Sequence, residues 1–181
     1  MTMLDERHED VFRKYDDAMI EFARALVRVR SYSGGEEGVA RLVAGKMEEL
    51  GYDEVFIDSV GNVMGRIGGG RKSALFDSHM DTVEVNDEEE WISPPFGADI
   101  KDGRIYGRGS VDMKSSLAAS LYAAVAARDL GLLGGRTIYV TATVSEEYCD
   151  GENLKTLFAE KGLRPDVAVI CEPSNNLVTL G

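Results

Sequence analysis

Three runs of apolar and β-branched residues constrain this chain most: "SALFDSH" (73–79), "RTIYVTATV" (136–144) and "DVAVIC" (166–171). Between them lie segments with helical signals. "MKSSLAASLYAAVAARDLG" is an Ala-rich helix that ends near Gly131, and "GENLKTLFAEKGL" is a second, shorter one. Parallel strands need long crossover connections, and these put helices on the faces of the sheet. The alternation therefore predicts an α/β fold, a layered sheet with helices on both faces. "DVAVIC" is apolar without interruption, the pattern of a strand lying inside a parallel sheet.

The first half reads differently. Val11, Phe12, Tyr15, Met19, Phe22, Leu26 and Val29 recur at three-and-four spacing, which predicts an amphipathic helix over residues 8–30 with His8 exposed near its start. "SYSGGEEG" breaks it, and "EEGVARLVAGKMEELG" forms a second helix stopped by Gly51. The period then shortens. "DEVFIDSV" and "NVMGRI" form a hairpin around Gly61-Asn62, closed by the glycines at 68–70. "VEVNDEEEWISPPFGA" is a loop with a solvated acid run at Asp87–Glu90, and "DIKDGRIYGRG" turns tightly at Asp102-Gly103. A length of 181 residues accommodates one domain with a substantial core.

Composition removes several function classes. The net charge of −12 repels nucleic acid and anionic membranes, whose binding rests on clustered Lys and Arg. The longest apolar run, "SSLAASLYAAVAA", is serine-interrupted and short of the roughly 20 residues that span a bilayer. "MTMLDERHED" lacks the basic-then-apolar order of a secretory signal, so a cytoplasmic location is expected. Cys149 and Cys171 form no CxxC pair and read as reduced, partly buried thiols.

The chemistry-bearing residues gather at strand ends. His79 and Asp81 follow the first run, Glu146 and Glu147 the second, and Glu172 the third, while Asp112 opens the Ala-rich helix. Open α/β sheets place their sites beyond the carboxyl ends of the strands, so one imidazole and several carboxylates are expected to meet in a crevice. That donor set suits a divalent metal. Taken singly, each residue has a plainer reading: His79 as a core histidine bonded to Asp81, Asp112 as a helix N-cap, Glu146-Glu147 as an exposed pair, Glu172 as turn chemistry before Pro173.

"SHMDTV", "GRGSVDMK", "SEE" and "CEPS", in that order, resemble the motifs of the M20 family of metallo-hydrolases, which includes aminoacylases, succinyl-diaminopimelate desuccinylases, acetylornithine deacetylases and carboxypeptidases. "DSVGNVMGRIGG" is similar to the hairpin ahead of the family's first motif. The resemblance implies a metallo-aminopeptidase-like catalytic domain and hydrolysis of the amide bond of an N-acyl amino acid or small peptide. It implies that His79 and Glu172 bind one metal, that Asp112 bridges two and that Glu147 binds the second. Asp81 is then the partner that orients His79, since residues i and i+2 of an extended chain point to one face. Glu146 is the implied general base. Zinc is the expected ion, and cobalt or manganese suits the same ligands.

Family members are considerably longer. A lid or dimerisation domain follows their "EPS" segment, and the chain then returns to supply a final histidine ligand. Here His8 and His79 are the only histidines. The resemblance thus implies that residues 1–181 correspond to the N-terminal portion of the catalytic domain, an incomplete site, with the lid and the C-terminal catalytic segment expected to be absent. Apolar surface left uncovered would favour self-association as a homo-oligomer or pairing with a complementary chain. A non-catalytic metal-binding or interaction module that retains the fold is the alternative.

Overall fold

The computed structural model describes residues 6–175 and 177–179. The stretch 1–5, part of the segment read for its lack of a secretory signal, lies outside them, as do residues 176, 180 and 181. Two helices open the chain, α1 (Glu6–Arg28) and α2 (Glu37–Glu49). Strands β1 (Glu54–Ile57), β2 (Val63–Gly68) and β3 (Lys72–His79) follow, then the small hairpin β4 (Asp99–Lys101) and β5 (Arg104–Tyr106). Next come α3 (Ser115–Asp129), β6 (Arg136–Thr143), α4 (Glu146–Cys149), α5 (Leu154–Lys161) and β7 (Val167–Ile170). Among the described residues no helix is long and apolar enough to cross a membrane.

Five strands form one sheet in the order β1-β2-β6-β3-β7. β3 runs parallel to both β6 and β7, while β1, β2 and β6 pair antiparallel in succession. The helices cover both faces. Phe22 and Leu26 of α1, Val43 and Met47 of α2, and Leu117 and Leu121 of α3 bury one face against Val63, Ile67, Val140 and Ala142. On the other face Leu157 of α5 and Leu163 pack on Met64 and Leu75. Successive strand residues point to opposite faces, so Met64 and Leu75 serve the second core while Val63 and Ile67 serve the first.

The first hairpin turns where the sequence predicts. Asp58 Oδ1 accepts the amides of Val60, Gly61 and Asn62 at 3.1, 2.9 and 2.9 Å, and Gly61 takes φ +105. Buried Asn62 accepts the Val144 amide at 2.9 Å, which ties this turn to the segment leaving β6.

Two expectations are corrected. β7 is an edge strand with one neighbour, and Val167 and Ile170 are each 56% exposed rather than interior. Its apolar run reflects faces that nothing in the described residues covers. His8 lies in the first turns of α1 but is half-buried rather than exposed. Cys149 and Cys171 are free and partly buried, as composition implied.

Glycine placement gives a stability test. A Cβ on Gly65 would meet the Tyr52 ring at 2.5 Å and Met47 Sδ at 2.6 Å, whereas one on Gly45, exposed in α2, meets nothing within 4 Å. Gly65→Ala should cost about 1–3 kcal/mol by overpacking. Gly45→Ala should add about 0.5–1 kcal/mol by relieving helix entropy. Urea denaturation of both variants checks the opposite signs.

Candidate metal centre

Register in the parallel part of the sheet brings the site together. His79 sits opposite Thr143, and Asp77 opposite Ile170, so β3, β6 and β7 finish side by side. Their extensions carry Asp81, Glu146 with Glu147, and Glu172 into one crevice. Asp112 arrives from the segment ahead of α3, where its φ −119 and ψ 96 are not helical and the peptide to Met113 is cis. α3 itself begins at Ser115, so Asp112 is not its N-cap.

His79 forms the floor: its side chain is 1% exposed, against 51% for Asp112 and 39% for Glu172. Nε2 lies 2.8 Å from Asp112 Oδ1, 3.6 Å from Glu172 Oε1 and 4.0 Å from Glu146 Oε2. One donor atom from each of His79, Asp112 and Glu172 falls within 4.8 Å of the others, the spacing a single cation could bridge. Glu147 stands outside that trio but close enough that its charge helps raise Glu146 and Glu172.

Asp81 is fully buried and acts in more ways than a ring partner. His79 Nδ1 lies 2.9 Å from the Asp81 carbonyl and 3.4 Å from its Oδ1. A carbonyl can only accept, so Nδ1 carries a hydrogen and Nε2 faces the crevice. The Asp81 carboxylate accepts the amides of Glu146 at 3.0 Å and Glu147 at 3.1 Å, and the Ser33 hydroxyl at 2.6 Å. His79 first, then Ser33 and the two amides, overcome burial and hold the Asp81 pKa below the ordinary value.

The other titrating groups show an excess of negative charge. Burial alone would lower His79, but Asp81, Asp112 and Glu172 outweigh it and raise the imidazole to about 9. Glu146 and Glu172 are raised, first by burial and then by neighbouring carboxylates, with His79 opposing. Asp77, bonded to Thr141 at 2.5 Å, is pushed up to about 6 by burial. Lys114, wholly buried, donates to the Val29 carbonyl at 2.7 Å; burial lowers it to about 8 against the pull of Asp81.

An imidazole beside several carboxyl groups fits a hard-to-borderline divalent cation, and the ring's other nitrogen is already anchored as such ligands require. The sequence reading did not single out Ser33, Glu36 or Lys114. The sequence marks Ser31–Gly35 as a helix break and Glu36 as the start of the second helix, yet Ser31 bonds the Met80 carbonyl at 2.7 Å and Glu36 accepts the Ser145 amide at 2.9 Å.

Residues 75–181 match the model of peptidase family M20/M25/M40. The chain belongs to this family. It is 36% identical over 169 residues to YgeY, an uncharacterized protein of Escherichia coli, across 93% of this chain and 42% of that protein. It is 34% identical over 155 residues to the succinyl-diaminopimelate desuccinylase of Roseobacter denitrificans, across 82% of this chain and 41% of the relative. The chain thus spans 41–42% of the length of these relatives. An M20 family metallo-carboxypeptidase from Sulfolobus solfataricus superposes with TM-score 0.71 at 26% identity, covering 84% of this chain and 36% of that one. Human carnosine dipeptidase 1 shares the fold, with TM-score 0.75 at 22% identity over 94% of this chain and 41% of its own.

The raised His79 would make capture of a metal by this cluster pH-dependent. At neutral pH the imidazole holds a proton that a metal must displace, so affinity should climb as pH rises toward 9 and level off above it. Glu172, also raised, adds to the loss at acid pH. Calorimetric titration with Zn²⁺ at pH 7 in buffers of different ionisation enthalpy should report about one proton released per ion. A value near zero would contradict the protonated His79.

Proposed function

We propose that this chain supplies the metal-binding part of a metal-dependent amidohydrolase that cleaves the amide bond of an N-acyl amino acid or small peptide. The observation that carries the reading is the convergence of His79 and Glu172, from neighbouring strand ends, with Asp112, from the segment ahead of α3, within ligand distance, with Glu146 and Glu147 beside them, in a member of the M20 family. The named relatives, a desuccinylase and a dipeptidase, support an amide in a small substrate. In this reading His79, Asp112 and Glu172 would hold one ion, and Asp112 and Glu147 would hold a second. Zinc is the proposed ion, with cobalt or manganese compatible with the same donors.

A divalent metal bound there supplies Lewis acidity, which makes water a better nucleophile and polarises the scissile carbonyl. The chain's own groups do the rest. Asp81 keeps the His79 ring turned with Nε2 toward the crevice. Glu146, outside the ligand trio and 4.0 Å from Nε2, takes a proton from the attacking water on its carboxylate and returns it to the departing amine. Its raised pKa suits both halves of that transfer.

We further propose that residues 1–181 form the N-terminal portion of the catalytic domain, and that the lid and the returning catalytic segment lie in the part of the relatives' length that this chain does not span. Exposed Val167, Val169 and Ile170 on β7 are consistent with such a covering segment.

The paired glutamates separate in the assay. In the full-length, metal-loaded enzyme, Glu146→Gln should keep its metal and lose turnover by roughly 10²–10⁴-fold against a panel of N-acyl amino acids and dipeptides. Glu147→Gln should instead weaken the second ion by about 10–100-fold, as atomic absorption after dialysis would register. Equal metal loss in the two would refute the assignment.

The 181-residue chain alone should bind about one divalent ion tightly. Its first site has three protein ligands, enough to hold zinc with water, and its second has only two carboxylates. Isothermal titration of metal-stripped chain checks this. Two tight sites would show that the second ion needs no further ligand.

A further inference from the structure

The turn that carries Glu146 and Glu147 is too short to hold itself. α4 has four residues, and it is flanked by left-handed non-glycine residues, Ser145 at φ 56 and Asp150 at φ 50. A single helical turn is unfavourable in isolation, and the amides at its start have no acceptor within the helix. Left-handed backbone at a residue with a Cβ costs more still, so outside contacts must hold it.

Those contacts come from two buried carboxyl groups. Asp81 accepts the amides of Glu146 and Glu147 at 3.0 and 3.1 Å. The amide just before them, on Ser145, donates to Glu36 Oε1 at 2.9 Å, and the Ser145 hydroxyl lies 3.4 Å from the same oxygen. Glu36 is 4% exposed, and its Oε1 also accepts the Gly34 amide at 3.0 Å. Three consecutive amides therefore end on two side chains. The same segment supports the other one, since Ser33 donates to Asp81 Oδ2 at 2.6 Å.

We propose that Glu36 is a positioning residue for the hydrolytic site: its carboxyl group fixes the Ser145 amide, keeps the left-handed turn, and so aims the Glu146 side chain at the crevice. The role rests on the reading of Glu146 as the proton carrier. Glu36 is not one of the clustered ligands, so its loss leaves the His79–Asp112–Glu172 trio in place. A displacement of the proton carrier by about 1 Å is enough to cost a large factor in rate.

The test is a double-mutant cycle in the full-length, metal-loaded enzyme, using the N-acyl amino acid or dipeptide that it turns over fastest. Glu36→Ala should lower kcat by about tenfold or more, with KM within about twofold and the ion assigned to His79, Asp112 and Glu172 retained. Glu36→Gln keeps an oxygen that accepts the same two amides and should recover most of the loss. On a Glu146→Gln background, Glu36→Ala should add less than about a twofold further loss. Wild-type kcat in Glu36→Ala overturns the proposal, as does an undiminished effect on that background. Glu36→Asp, which withdraws the oxygen by one methylene, replaces the alanine variant should that one not fold, and is read by the same criteria. Full turnover in Glu146→Gln would sink the proton-carrier reading instead. Glu36 is then judged by hydrogen exchange in Glu36→Ala: faster exchange confined to the Ser145–Glu147 amides sustains the positioning role, and unchanged protection ends it.

Discussion

The site depends on where the Asp81 carboxylate ends up. A buried carboxylate without donors is among the most costly things a fold can contain, and here four groups converge on it: an imidazole, a hydroxyl and two backbone amides. These four donors come from three parts of the chain. His79 ends β3, Ser33 follows α1, and the amides of Glu146 and Glu147 open α4 after β6. Satisfying one side chain thus fixes three segments relative to each other. The backbone repeats the pattern, since Thr82 donates to the Ser31 carbonyl at 2.9 Å and Met80 to that of Thr143 at 2.8 Å.

The parts of this arrangement that a sequence exposes are those with local periodicity. Runs of apolar and β-branched residues mark β3 and β6, helical spacing marks α1 and α2, and the turns at Gly61-Asn62 and Asp102-Gly103 carry their own chemistry. Strand ends follow from strands, which makes His79, Glu146, Glu147 and Glu172 readable as candidates; Asp112 is legible from its place ahead of the Ala-rich helix, and the ordered motifs imply roles for all five. The support beneath them was not readable. Glu36 looks like an ordinary acid at a helix start, and nothing local says that it bonds an amide 109 residues further on. Lys114 looks like a solvated cation, yet it is fully buried and bonds a carbonyl 85 residues back. The interior reading of β7 failed for a related reason: an apolar run reports that both faces are meant to be covered, without saying which segment covers them.

Charge explains why the same crevice is both strained and suited to a cation. Six acids, Asp77, Asp81, Asp112, Glu146, Glu147 and Glu172, crowd around the one imidazole of His79, and the buried ammonium of Lys114 interacts with Asp81. The imbalance is visible in opposite directions. Asp81, with its donors satisfied, stays below the ordinary carboxylate value, while Glu146 and Glu172 rise because burial and like charge outweigh their one imidazole. A doubly charged ion between Asp112, Glu172 and Nε2 would relieve that repulsion where it is strongest and would take over the proton's place on His79.

The division between satisfied and unsatisfied acids also separates the roles. Asp81 and Glu36 spend their oxygens on backbone amides inside the protein, which makes them fixed points and leaves them little capacity for a ligand. Asp112 and Glu172 keep theirs at the open side, more than a third exposed, where exchange of a bound ion is feasible. Glu146 lies between these classes: its amide is locked to Asp81 while its carboxyl group, 28% exposed and 4.0 Å from Nε2, remains free to take up and release a proton. The proton-carrying role proposed for Glu146 calls for that combination, a fixed backbone and an uncommitted side chain. Because α4 is only one turn long, the fixity cannot come from the helix and has to be supplied by the buried acids around it.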